Sequence, residues 1–169
     1  VECTPSAVAL NGTTTCEVTV TDASPEPIVD PAPSITPTGT VALASTKAGT
    51  FGACVLTGSG AVATCSSTFT VNEVGSHSVT ATYDGDPTHS REMDTTSVNV
   101  AYVFTGFFAP VNNGVLNNAN ANQAIPLKWR ITDANGVGIS DPASFVSVTT
   151  VNGACTSGVA DNVETHAGN

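Results

Sequence analysis

Basic residues are scarce in this chain. Its 169 residues hold four Lys and Arg against fourteen Asp and Glu, a formal net charge of −10. A chain this negative, with no Lys/Arg cluster to offset the charge, is repelled by phosphate backbones, which argues against nucleic acid as a partner. Charged residues of both signs amount to 11%, against about 25% in an average soluble domain. The surface must then be covered mainly by Thr, Ser, Asn and Gly. Aromatics are only 5%, so a core has to be built from Val, Ala, Leu and Ile. No apolar run reaches the roughly 18 residues of a membrane-spanning helix, and no membrane insertion is expected. No window carries an i, i+3, i+4, i+7 apolar pattern, which leaves little or no α-helix. Catalytic signatures are missing too: no G-x-S-x-G elbow, no H-E-x-x-H, no glycine-rich phosphate loop and no Walker-type lysine. His77, His89 and His166 are scattered, and nothing sets two carboxylates in opposition as a glycosidase needs. No enzymatic activity is expected. The chain has no initiator Met and no signal peptide. It opens on Val1-Glu2-Cys3, as expected of a processed product or a piece of a longer protein.

What is present begins with cysteine. Cys3 and Cys16 form one local pair, and Cys54 and Cys65 another, in a background of Thr, Ser, Val, Ala and Gly. No CxxC pair exists, so zinc-site spacing is absent. The two pairs read as structural disulfides in a protein that works in an oxidising, extracellular setting. Each would close a loop of about 12–14 residues, worth about 3 kcal/mol in the chain-entropy model. Other pairings among five cysteines stay open at this point. Cys155 is left over, and its partner is expected beyond residue 169 or in another chain.

Apolar and polar residues alternate in Cys16–Thr21, Ser78–Tyr83 and Ser97–Val100, each fitting a strand with one buried face. The run Ile125–Ile131 sets Ile125, Leu127, Trp129 and Ile131 on one side, with Lys128 and Arg130 on the other. That pattern predicts Trp129 in a core. Turn chemistry separates the runs, at Asn11-Gly12, Asp84-Gly85-Asp86-Pro87 and Asn135-Gly136. Between Ala23 and Pro37 five prolines remove backbone donors, which predicts a stiff extended loop. Seven strands are expected up to residue 101, near 3–10, 14–22, 38–45, 51–57, 61–70, 76–84 and 95–101. Seven short strands in about 100 residues indicate an immunoglobulin-like sandwich. A second unit starts near Tyr102, where Tyr102, Phe104, Phe107 and Phe108 hold four of the nine aromatics. An Asn-rich loop, Asn112 to Asn122, follows. Only 68 residues remain from 102 to 169, room for three or four strands. The expected fold is all-β: two immunoglobulin-like sandwiches in tandem, 1–101 and 102–169, the second short and either incomplete or completed by another chain.

Several stretches also carry a family likeness. Val1-Glu2-Cys3-Thr4-Pro5-Ser6 with Cys16, Thr36-Pro37-Thr38-Gly39-Thr40-Val41, Cys54-Val55-Leu56-Thr57-Gly58 with Cys65, and Gly75–Asp86 with His89 resemble the bacterial immunoglobulin-like repeats found in tandem on large secreted and surface proteins. Tyr102–Val111 and Ile125-Pro126-Leu127-Lys128-Trp129 resemble a PxKF-type domain that often ends such proteins, with Trp129 in place of Phe. The resemblance implies extracellular modules without known enzymatic activity. It also implies further strands and a later cysteine to partner Cys155.

Other features have weaker readings. Asp84, Asp86 and Asp94, with Glu92 and His89 nearby, make the densest acidic cluster. Oxygen ligands around a loop are what Ca²⁺ requires, but the spacing is not that of an EF-hand and a solvated turn, where Asp and Gly serve the backbone, is the favoured reading. Asp22, Glu26 and Asp30 read as solvation. Asn11-Gly12-Thr13 is a glycosylation sequon on an exposed turn. His77 reads as a packed or surface residue rather than a base. The leading expectation is an extracellular structural module of a cell-surface stalk, adhesin or filament. Its partners would be copies of itself or neighbouring domains, with assembly through strand addition between chains. The alternative is an accessory carbohydrate-binding module, with Trp129 or Tyr83 as the stacking ring.

Overall fold

A computed structural model of the chain describes residues 1–23, 34–120 and 123–147. Most of the proline-rich stretch, with Glu26 and Asp30, falls outside these residues, as do Cys155 and His166. The chain divides into two compact units: Val1–Val103 with Asp133–Val137, and Phe104–Thr132 with Gly138–Asn169. Among the described residues there is no α-helix, only a single 3-10 turn at Pro142–Ser144.

The described residues of the first unit form nine strands: β1 (Glu2–Thr4), β2 (Ala7–Ala9), β3 (Thr13–Thr21), β4 (Val41–Ser45), β5 (Gly49–Phe51), β6 (Thr57–Ser59), β7 (Val62–Val71), β8 (Gly75–Tyr83) and β9 (Glu92–Ala101). One sheet runs β1-β3-β7-β5, with β6 also pairing β7; the other runs β2-β9-β8-β4. This is an immunoglobulin-like β-sandwich. The alternation read from sequence is what fills it. Thr14, Cys16 and Val18 point inward from β3, and Ala63, Cys65, Ser67, Phe69 and Val71 from β7. His77, Val79, Ala81 and Tyr83 enter from β8, and Val98 and Val100 from β9. Phe69 is wholly buried. It stacks on Phe51, its register partner across β5 and β7, with ring centroids 4.1 Å apart. A Cβ on Gly49 would come within 2.4 Å of the Phe69 ring, so only glycine lets that backbone lie so close.

Two differences from the sequence reading have physical causes. The expected strand 3–10 is two strands in different sheets. β1 lies antiparallel to β3, while β2 lies parallel to β9. The chain changes sheets at Pro5, whose missing N–H cannot continue a ladder. The expected strand 51–57 is replaced by β5 and β6, both antiparallel to β7 and separated by a loop.

In the second unit β10 (Val103–Phe108) pairs β11 (Lys128–Thr132). Trp129 is not a core residue there. It is 40% exposed, and Ile125 and Leu127 are similarly open at 40% and 42%. Residues 123–127 are not in a strand, and Pro126 in their middle has no donor for a ladder. Alternation marks which side a ring faces, but among the described residues of this unit the two-stranded ribbon has no second layer to bury that side.

Candidate functional site

The chemistry-bearing residues of the first unit are used to tie its loops together. Cys3 and Cys16, directly opposed on β1 and β3, are disulfide-bonded. Cys54, in the loop before β6, is bonded to Cys65 on β7. Both disulfides lie in the core. Cys3–Cys16 ties two neighbouring strands of one sheet, whereas Cys54–Cys65 ties a segment hydrogen-bonded to β4 of one sheet to β7 of the other.

Asp86 is the centre of a second tie. Its Oδ1 accepts from Thr88 N–H (2.9 Å) and Oγ1 (2.8 Å) and from His89 N–H (2.9 Å) and Nδ1 (2.7 Å). Its Oδ2 accepts from Thr38 N–H (3.0 Å) and Oγ1 (3.1 Å), 48 residues away. Burial alone would push this carboxyl up, but the donors from Thr88, His89 and Thr38 outweigh it and hold the acid well below the usual carboxylate range. His89 Nε2 lies 3.7 Å from Asp22 Oδ1, and Asp22 Oδ2 accepts from Ile35 N–H at 3.1 Å. Asp22, whose sequence context suggests mere solvation, therefore joins the end of β3 to Ile35 and to the turn after β8. Tyr83 O–H donates to Thr38 O (3.1 Å), and burial raises that phenol's pKa.

The other acids of the expected calcium cluster point elsewhere. Asp84 faces Arg91 at 3.3 Å, and Asp94 accepts from the Val1 nitrogen. The three carboxylates are not brought together. Among the described residues, no group of three or more His, Cys, Asp or Glu side chains could hold a metal ion.

His77 is buried without exposure; Nδ1 meets Ser45 Oγ at 2.9 Å and Nε2 meets the Glu73 carbonyl at 2.7 Å. Nε2 donates to that carbonyl, and in the neutral ring Nδ1 is then the acceptor and Ser45 O–H the donor. The pair resembles a nucleophile and base, but its histidine is wholly buried and its third member is a backbone carbonyl. The Glu73 carboxylate serves Lys47 Nζ (2.6 Å) and Ala48 N–H (3.1 Å) instead, and those donors lower its pKa. The whole group pins the turn after β4 to the turn before β8.

Asn11, the sequon residue, sits in the left-handed region (φ 60°) of the turn between β2 and β3. Its Nδ2 donates to Asp133 Oδ2 (2.9 Å), and its Oδ1 accepts from Asn72 (3.3 Å). Asp133 also accepts from Asn135 and Val137 N–H. Asn11 first, then these backbone donors, holds its acid below the usual range.

In the second unit Phe104, Phe107, Phe108, Trp129, Ile131 and Phe145 line an open cleft of about 930 Å³. Trp129 and Phe145 lie 5.7 Å apart, and their planes are tilted by 30°. Tyr83, the other ring considered for stacking on sugar, is 3% exposed and too buried to stack. The cleft is hidden in sequence, because alternation around Trp129 points its ring into a core.

Two antiparallel-rich sheets, a parallel first-strand extension onto β9 and a closed core define an immunoglobulin-like module. The chain belongs to the bacterial Ig-like domain family (group 3), whose model matches residues 1–101. No curated protein matches the chain, and no solved structure does. Domains of this kind are structural modules of larger proteins.

Proposed function

We propose that the chain is an extracellular building module of a surface stalk, adhesin or filament, in which residues 102–169 form a PxKF-type second domain. The observation that carries this reading is the use to which reactive groups are put in the first unit. Four cysteines, a buried histidine and a deeply acidic carboxylate all serve as internal ties, and no buried side-chain polar atom among the described residues lacks a partner. Such a unit resists unfolding outside the cell, where disulfides persist. Pairing between chains through strand addition would assemble it. Antibody labelling of intact, unpermeabilised cells expressing the native gene tests the placement. Surface label is expected, and label seen only after permeabilisation would overturn it. Electron microscopy of the native material separates filaments from free modules.

A second reading, an accessory carbohydrate-binding module, is favoured by one observation: Phe104, Trp129 and Phe145 are 53%, 40% and 52% exposed around one cleft. Exposed rings of this kind suit stacking on sugar faces. Glycan-array binding that disappears in Trp129→Ala would support it, and an array with no binding would remove it.

A further inference from the structure

The turn between β2 and β3 is built from a chemically labile dipeptide, Asn11-Gly12. In such a pair the glycine nitrogen can attack the asparagine side-chain carbonyl carbon, because no Cβ stands in its way. The fold nevertheless asks for both residues. Asn11 has φ 60°, a left-handed conformation that asparagine adopts more readily than most residues with a side chain. A Cβ on Gly12 would come within 2.8 Å of the Ala9 carbonyl oxygen and 3.4 Å of Ala134 Cβ, so the position takes glycine. Asn11 is exposed, and burial therefore does not protect it.

Hydrogen bonds protect it instead. Asn11 Nδ2 donates to Asp133 Oδ2 at 2.9 Å, and its Oδ1 accepts from Asn72 Nδ2 at 3.3 Å. Both ends of the amide are held, so it is not free to rotate towards the next nitrogen. That nitrogen is engaged as well, since Gly12 N–H donates to Ala9 O at 2.9 Å. Asp133 is itself fixed in place. It is 5% exposed, its Oδ1 accepts from Asn135 and Val137 N–H, and the adjoining Ala134 N–H donates to Leu10 O at 2.9 Å. Asp133–Val137 belong to the first unit, although the chain has left it at Phe104.

We propose that Asn11-Gly12 is a latent self-modification site, and that Asp133 with Asn72 is its guard. With the guard open, Gly12 N gives up its proton and bonds to Asn11 Cγ. The Cγ–Nδ2 bond breaks and the side-chain nitrogen leaves as ammonia. Water then opens the cyclic imide at either carbonyl, which leaves an aspartate or an isoaspartate. Water is the only co-reactant. Either product sets a carboxylate where Nδ2 had donated to Asp133. Two like charges then face each other with no proton between them, so the guard does not close again.

The test is peptide mapping by mass spectrometry of the full chain held in mildly alkaline buffer, which resolves Asn11 from its two products. Asn11 of folded wild type is expected to react at least about tenfold more slowly than in the same chain reduced and unfolded in urea. Folded Asp133→Ala is expected to react about tenfold faster than folded wild type. Equal rates in folded and unfolded wild type overturn the proposal, as does a folded Asp133→Ala that reacts no faster than wild type. If Asp133→Ala does not fold, Asn72→Ala, which frees Oδ1, is read in its place: acceleration supports the guard, and an unchanged rate overturns it. Asn11→Asp reproduces the aspartate product. It is expected to cut the hydrogen-exchange protection of Ala134 N–H by about tenfold or more, and unchanged protection overturns the one-way step.

Discussion

Phe69 in the first unit has no exposed surface, while Trp129 in the second, a larger ring, keeps 40% of its own. Both sit on strands and both have an aromatic neighbour. The difference is what lies opposite. Phe69 on β7 faces a second sheet that brings His77, Val79 and Val98 into the same core. Trp129 sits on a two-stranded ribbon, with Phe107 edge-on at 6.5 Å and Phe145 beside it. Both disulfides among the described residues also fall in the first unit. A residue's type and period set the side it faces; the number of layers decides whether that side is dry.

The contrast can be broken at its strongest point first. Phe69→Ala is expected to cost about 3–5 kcal/mol, the range for a fully buried aromatic. It should lower the melting temperature of the first unit while the fluorescence of Trp129, the only tryptophan, continues to report the second. A loss below about 1 kcal/mol would mean that the Phe69 site collapses easily and that the first unit is no better packed than the second. Next comes the clamp. Cys54→Ala/Cys65→Ala removes an 11-residue separation closed by disulfide. It is expected to cost about 3 kcal/mol, seen as a drop of about 10–20 °C in the first calorimetric transition. An equal drop in the second transition would show that the two units do not melt separately.

How far the sequence alone reaches follows the same line. The faces of β3, β7 and β8 are visible because Cys16-Glu17-Val18-Thr19-Val20 and its counterparts keep a strict period of two. The local cysteine pairs are visible because the partners are close along the chain. Long-range partners are not visible. Asp86 binds Thr38, Asp22 approaches His89, and Asn11 reaches Asp133. Each pair is set by which loops the sandwich brings to one end. Asp84, Asp86 and Asp94 look like one cluster because they are near in sequence, yet strand geometry sends them to three different partners. Pro5 is in plain view, but only the presence of β9 tells where the chain goes after it. Asn113 reads as loop composition, yet its amide accepts from Phe107 N–H and donates to the Phe107 carbonyl, which nothing local announces.

A smaller effect sharpens the comparison from the second unit. Trp129→Ala is expected to destabilise that unit by about 1–2 kcal/mol, well below the cost for a buried aromatic, because much of the ring is already in water. Chemical denaturation followed by circular dichroism reads it. A loss of about 3 kcal/mol or more would mean that Trp129 is covered in solution and that the two units are built alike.

The last prediction concerns acid. Asp86 is held below the usual carboxylate range, against the opposing pull of burial, by donors from Thr88, His89 and Thr38. Its folded pKa is therefore lower than its unfolded one, near about 4. The stability it contributes is fully present above that unfolded value and is lost as pH falls below it, because the unfolded chain binds the proton first. Asp133 and Glu73, also lowered and also in the first unit, add to the same slope. Asp86→Asn keeps the shape of the tie but removes its charge. The variant should be less stable than wild type at pH 7, and the gap should close as the pH is lowered from about 5 towards 2. Denaturation curves of the first unit at several pH values measure that gap. A gap that stays constant over this interval would mean that Asp86 contributes shape alone, and that the tie between Thr38 and the turn after β8 does not depend on charge.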